Sequence, residues 1–169
     1  LAIKNSLGAS HSAAEAVDYV LNLAESGLAE MRTLIFELRP ESLESEGLLA
    51  CLRRQTEALA KRYKITVTID GCVEEPAMDL AIKHGVYRLI MEALHNVVKH
   101  AHATHCGVHL KRQPGEYLIC VEDNGAGFDL PSVPSSRVGL SSMRERVAQL
   151  GGRMEIDTAP GRGTRVQAC

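Results

Sequence analysis

From Leu48 to Gln167 the sequence switches repeatedly between two hydrophobic periods, and this switching narrows the possible folds more than any other feature. Leu48, Leu49, Leu52, Leu59 and Ala60 give one apolar side to a helix, after which Ile65, Val67 and Ile69 alternate as a strand ending near Gly71. Pro76 suits the first turn of a longer helix reaching about Lys99, because its missing N–H costs little there. Ile82, Val86, Leu89, Ala93 and Val97 would form that helix's core stripe at ~100° per residue. Val108–Leu110 and Tyr117–Val121 read as strands, Leu140–Leu150 as a helix, and Met154–Asp157 and Thr164–Gln167 as a closing strand pair. Pro160, Gly161 and Gly163 supply the turn between them. Alternating signals without a solenoid period predict an α/β sandwich around one core.

Upstream the pattern is different. Val17, Leu21, Ala24, Leu28, Met31, Ile35 and Leu38 recur in alternating steps of four and three, a narrow apolar seam that needs a partner helix. Pro40 predicts the end of this helix, because it pushes Arg39 toward extended dihedrals. Gly8–Ser12 reads as a turn, which makes Leu1–Leu7 the remnant of a helical hairpin. The expected division is a helical arm at 1–39, a linker at 40–47 and a globular domain at 48–169. A first residue that is not Met suggests a piece of a longer protein.

Composition removes several function classes. A net charge of -2 provides no basic field for nucleic acid. Cys51, Cys72, Cys106, Cys120 and Cys169 are scattered and odd in number, which points to reduced thiols and a cytoplasmic location rather than a disulfide framework. No apolar stretch approaches the ~20 residues of a membrane span.

Three clusters carry chemistry. Glu92, Asn96 and Lys99 share an angular sector beside the core stripe, where two oxygen ligands could hold Mg²⁺ and an ammonium could meet phosphate. Each alone is an ordinary helix surface group. Asp123 follows a strand and can accept an amino hydrogen from adenine, while Gly125 and Gly127 let backbone approach a flat base. Asp–Asn–Gly by itself is a common turn. The 129–137 stretch has the composition of a short cover over a ligand. Gly139 then precedes a helix that buries Leu140, Met143, Val147 and Leu150 on one side. Its first N–H groups, with Arg144 or Arg146, could bind a phosphate oxygen. No GxxxxGK[ST] loop is present.

In order and spacing these clusters resemble the boxes of bacterial sensor histidine kinases. Glu92-Ala-Leu-His-Asn96-Val-Val-Lys99 resembles the N box, Asp123-Asn-Gly125-Ala-Gly127-Phe128 the first glycine box, and Gly139-Leu-Ser-Ser-Met143-Arg144 the second. Pro160-Gly-Arg-Gly163-Thr164 is similar to the final turn of the ATP domain. Met31–Pro40 resembles the second dimerisation helix of the subgroup that signals to NarL/LuxR-type response regulators.

The resemblance implies a Bergerat-type α/β sandwich with a mixed sheet, related to gyrase, Hsp90 and MutL and preceded by a truncated helical dimerisation arm. It implies that Asn96 coordinates Mg²⁺ with help from Glu92, that Lys99 contacts phosphate, and that Asp123 receives the adenine amino group. Gly125 and Gly127 would shape the adenine wall. Gly139, Leu140 and Met143 would form a lid hinge and its packing, Arg144 would add charge, and Thr164 would support a water network at Asp123. Ser142 departs from the pattern where the subgroup often has Gly, which would stiffen the lid.

ATP, Mg²⁺, a NarL/LuxR-type response regulator and a second copy of the chain are the implied partners, with no direct nucleic acid or membrane contact. The phosphate acceptor is a histidine in an upstream H box, and nothing around His11 resembles that box. The chain alone should therefore not phosphorylate itself. His84, His95, His102, His105 and His109 read as surface or structural, and His100 projects near the core stripe. An anti-sigma-type serine kinase and an ATP-gated interaction module are the competing readings.

Overall fold

The computed structural model describes Val20 and residues 40–71, 74–132 and 138–169. The heptad seam and the Met31–Arg39 run lie outside the described residues, Val20 apart. The chain divides into two units, Leu1–Pro40 and Glu41–Cys169, and the second carries the fold.

Pro40 opens a short helix, α1 (Pro40–Glu46), within the stretch expected as a linker. Proline is tolerated there because the first helical N–H has no intrahelical partner. Helix α2 (Leu48–Tyr63) buries Leu48, Leu49, Cys51, Leu52 and Leu59, and its buried Thr56 hydroxyl donates to the Leu52 carbonyl. Gly47 gives α2 no side-chain cap. Glu75 supplies one from a distance: its carboxylate accepts the Leu48 N–H at 2.7 Å and the Leu49 N–H at 3.1 Å while pairing with Lys83 at 2.8 Å.

Strand β1 (Thr66–Gly71) leads through that anchor to helix α3 (Leu80–Asn96). The helix starts later than Pro76 suggests. Pro76 and Met78 are buried with Ala77 exposed between them, the Ala77 carbonyl accepts the Tyr117 hydroxyl, and the Met78 N–H donates to the Pro76 carbonyl at 2.8 Å, so this segment is held in a tight non-helical turn. The predicted stripe residues Val86, Leu89, Ala93 and Val97 are buried, and Ile82 is half-buried. Ile90 and Leu94 are fully buried as well, because α3 is the central helix and packs on both neighbours and on the sheet.

Strands β2 (His105–Gln113) and β3 (Glu116–Asp123), helix α4 (Val138–Gln149), and strands β4 (Met154–Thr158) and β5 (Thr164–Ala168) complete the unit. The five-stranded sheet has the order β1-β2-β3-β5-β4. Only β1 and β2 pair in parallel, so the sheet is mixed. Val108, Leu110, Ile119, Val121, Val166 and Ala168 form its buried face beneath the helices. Thr66, Thr68, Asp70, His105, Arg165 and Asp157 alternate onto the other, exposed face. Leu150 falls just outside α4 and is more exposed than its spacing suggests.

Candidate functional site

The end of α3 is the foundation of the site. Glu92 and Asn96 stand one helical turn apart, both half-buried, and Lys99 is exposed. After Asn96 the helix widens into a π-helical turn, Val97–Ala101. The wider turn changes the angular position of its own residues: Val97 and Ala101 are buried, whereas His100 is exposed rather than turned toward the core as an ideal α projection predicts. His102, with a φ of 50°, ends the turn in left-handed geometry.

Asp123 ends β3 and leads directly into the glycine turn. One carboxylate oxygen, Oδ1, accepts the Gly125 N–H at 2.7 Å. Burial raises the Asp123 pKa above the ordinary carboxylate value, against the opposing pull of the Gly125 and Thr164 backbone N–H groups. Gly125 lies so close to the Ala101 carbonyl that a side chain there would collide with backbone. The next residue closes the same contact, Ala126 N–H donating to the Ala101 carbonyl at 2.7 Å. The Asp123 turn is thus fastened to the end of the helix that carries Glu92 and Asn96.

The far side of the turn is equally tight. Gly127, with a φ of 58°, packs against the Ala159 carbonyl, and Gly163, with a φ of 71°, against the Asp123 carbonyl. Both positions combine a backbone conformation that disfavours side chains with no room for one. Thr158 joins the pieces: its hydroxyl accepts the Phe128 N–H at 3.1 Å, donates to the Gly163 carbonyl at 3.0 Å and lies 3.2 Å from the Thr164 hydroxyl. Thr164 therefore reaches Asp123 through its backbone N–H, and its hydroxyl faces Thr158.

Helix α4 supplies the third wall. Gly139 is its second residue rather than the residue before it. A Cβ added at Gly139 would stand 2.7 Å from Glu92 Oε1 and 3.8 Å from the Asn96 side-chain amide. The start of α4 therefore rests on the two oxygen-bearing side chains of α3. Leu140 is half-buried, Met143 is buried in the core, and Arg144 is exposed. Arg146 lies close enough to Arg88 to contribute, after burial, to lowering its pKa. The 133–137 part of the expected cover lies outside the described residues.

Glu92 with Asn96 is a donor set of one carboxylate and one amide oxygen, suited to a hard divalent cation that keeps several waters. A carboxylate offers about four lone-pair sites, so the half-buried Asp123, with the Gly125 and Thr164 N–H groups met, keeps acceptor capacity for an external donor. A separate open groove of about 500 Å³ runs along the exposed sheet face past His105, His109, Glu122, Arg162 and Arg165. Its lining includes Asp123 and Asn124 but not Glu92, Asn96, Lys99 or Gly139, so it is not the space those residues frame. Within it Arg165 holds Glu122 through two hydrogen bonds, and these draw the carboxyl pKa below its usual value.

Sequence reasoning missed two residues that support the site, Thr158 and Asn124, and one that supports the fold, Glu75. Asn124 was legible only as part of a turn signature. Thr158 and Glu75 act through chain-distant backbone groups and leave no local pattern.

A family model described as "Histidine kinase-, DNA gyrase B-, and HSP90-like ATPase" matches residues 81–169. An uncharacterized sensor-like histidine kinase of Chloroflexus aurantiacus is 33% identical over 158 residues, spanning 89% of this chain and 26% of that protein. The sensor histidine kinase LiaS of Bacillus subtilis is 32% identical over 148 residues, spanning 88% of this chain and 41% of that protein. The chain thus corresponds to well under two thirds of these relatives. Among solved structures, the histidine kinase domain of a blue-light activated histidine kinase from Erythrobacter litoralis superposes with a TM-score of 0.56 at 23% identity, covering 72% of this chain and 59% of that one. At that identity the likeness concerns the fold alone.

Proposed function

The chain belongs to the family of histidine kinase-, DNA gyrase B- and HSP90-like ATPases, and from that premise we propose that it binds Mg-ATP for transfer of the γ-phosphoryl group to a histidine. Its Bergerat-type sandwich is homologous to the ATP-binding catalytic domains of sensor histidine kinases. The acceptor histidine would lie on a helix outside this chain, and an aspartate of a response regulator, of the NarL/LuxR type, would take the phosphoryl group next.

The observation that carries this reading is the contact of three motif segments around one helix end. Gly125 and Ala126 meet Ala101, and Gly139 meets Glu92 and Asn96. Asp123 would read the base through its remaining acceptor capacity, since an exocyclic amino group donates where a carbonyl cannot. Asn96 and Glu92 would hold Mg²⁺, and Lys99 and the first N–H groups of α4 would meet the phosphates. The bound metal supplies charge neutralisation at the transferring group. The residues' own contribution is position: helix and turn are fastened before ligand arrives, so little ordering remains to be done on binding.

Calorimetric titration with ATP, with and without Mg²⁺, tests this against Asp123→Ala and Asn96→Ala. Loss of binding in the first and of the Mg²⁺-dependent component in the second is expected. Unchanged affinity in both would refute the site. Labelled ATP should leave the chain alone unlabelled but label a separately supplied H-box helix. ATP binding without that transfer would instead favour an ATP-gated interaction module.

A further inference from the structure

Asn124 lies between the carboxylate assigned to the base and the glycine that touches the helix end, yet its side chain is aimed at neither. Its Oδ1 accepts the N–H groups of both Thr104 and His105, each at 3.0 Å. Its Nδ2 donates to the Thr104 hydroxyl at 2.9 Å, and its own backbone N–H donates to the His105 carbonyl at 3.2 Å. Four hydrogen bonds thus join one turn residue to a two-residue stretch at the start of β2.

That stretch is the short connection leaving the π-helical turn. With the Ala126–Ala101 bond, Asn124 clamps both ends of the 101–105 connection to the Asp123 turn. The span between the Asp123 carboxylate and the helix bearing Glu92 and Asn96 is fixed by these bonds. Asparagine is the side chain that meets every demand here. Alanine keeps only the backbone bond to His105, and aspartate accepts the two N–H groups but cannot donate to Thr104.

Resting on the nucleotide reading, we propose that Asn124 is a positioning residue that sets adenine selectivity by holding the Asp123 turn at a fixed distance from the metal-bearing helix. Asn124, Thr104 and His105 are all exposed, so water can satisfy the groups released when the side chain is removed. Fold stability should then change little, whereas the carboxylate loses its fixed position. A carboxylate discriminates an amino group from a carbonyl only where the base is held against it. Loosening the turn therefore costs selectivity along with affinity.

The test uses the whole chain and four proteins: wild type, Asn124→Ala, Asn124→Asp and Asp123→Ala. Affinities for ATP and GTP are measured with Mg²⁺ by calorimetry, and melting temperatures without nucleotide. Asn124→Ala should bind ATP about tenfold more weakly with a smaller ATP/GTP ratio and nearly unchanged melting. Asn124→Asp should restore most of both. Unchanged affinity and selectivity in Asn124→Ala, with binding lost in Asp123→Ala, overturns the positioning role and leaves the nucleotide site standing. A fall in melting temperature that accounts for the affinity loss, or no recovery in Asn124→Asp, also overturns it. Full ATP binding by Asp123→Ala refutes the underlying site reading.

Discussion

Gly139→Ala separates the site from the fold more cleanly than any other single change. The added methyl would stand 2.7 Å from Glu92 Oε1, the mobile end of a side chain rather than backbone. Restoring an ordinary contact requires that carboxylate to retreat by about 0.5–1 Å, which it can do by rotation at small cost. Gly139 lies within α4, where alanine is intrinsically the better residue by up to about 1 kcal/mol. Stability should therefore stay level or rise slightly. The proposed metal site would be less forgiving, since octahedral Mg²⁺ tolerates little displacement of an oxygen ligand or of the water it orients. The expected effect is about a tenfold loss, about 1.4 kcal/mol, confined to the Mg²⁺-dependent part of ATP affinity. Titrations in Mg²⁺ and in chelator, together with urea melts, measure both quantities. An intact Mg²⁺ dependence with the fold preserved would show that Glu92 has no part in the site. Collapse of the fold would show that the contact at Gly139 is not relieved by side-chain motion.

Other individual contacts make their own predictions. Gly163→Ala meets the Asp123 backbone in a left-handed conformation and should destabilise by more than about 2 kcal/mol in urea, an outcome opposite to that at Gly139. Glu75→Ala removes the cap of α2 and leaves Lys83 without its carboxylate, which should cost about 1–3 kcal/mol; a melting temperature equal to wild type would exclude the staple. Asp123→Asn tests the raised carboxyl pKa. Because the folded state holds this proton more tightly than the unfolded chain, Asp123 favours folding below its unfolded pKa, and that contribution is lost as pH rises through the folded value. The variant should therefore gain on wild type between acid and neutral pH in paired urea melts, while losing ATP; a gain that shrinks with rising pH would mean that the Gly125 and Thr164 N–H bonds outweigh burial.

The layers were legible in the sequence because burial on one face imposes a period, and every strand predicted from alternation coincides with a strand of the structure, Ile65 alone standing one residue before β1. Boundaries were less so. Helix α3 begins at Leu80 because buried Pro76 and Met78 and the Tyr117 hydroxyl hold the preceding segment in a non-helical turn, and the Tyr117 contact connects residues far apart in sequence. The π-helical turn after Asn96 moved His100 outward, and no local propensity marks such a turn. At the candidate site, the segments bearing Glu92, Asn96, Asp123 and Gly139 could be named from their spacing, and the structure brings them around one helix end. The residues that brace the Asp123 turn could not be so named, since Asn124 and Thr158 act by meeting backbone groups elsewhere in the chain, as Glu75 does at the start of α2.

The two ends of the site differ in how they can vary. Asp123 meets the backbone of Gly125, Gly163 and Thr164, and Asn124 ties its turn to the start of β2. Among the described residues, Glu92 rises from α3 and has Gly139 of α4 over it. On the proposed reading the base end is accordingly tied to the sheet by backbone, whereas the metal end is completed by α4, the element after the 129–137 stretch. On that reading, binding free energy at the base end would depend on preorganisation, and at the metal end on where α4 comes to rest. Changes that displace α4 should therefore alter Mg²⁺-dependent affinity before they alter adenine selectivity, and changes at Asn124 should do the reverse.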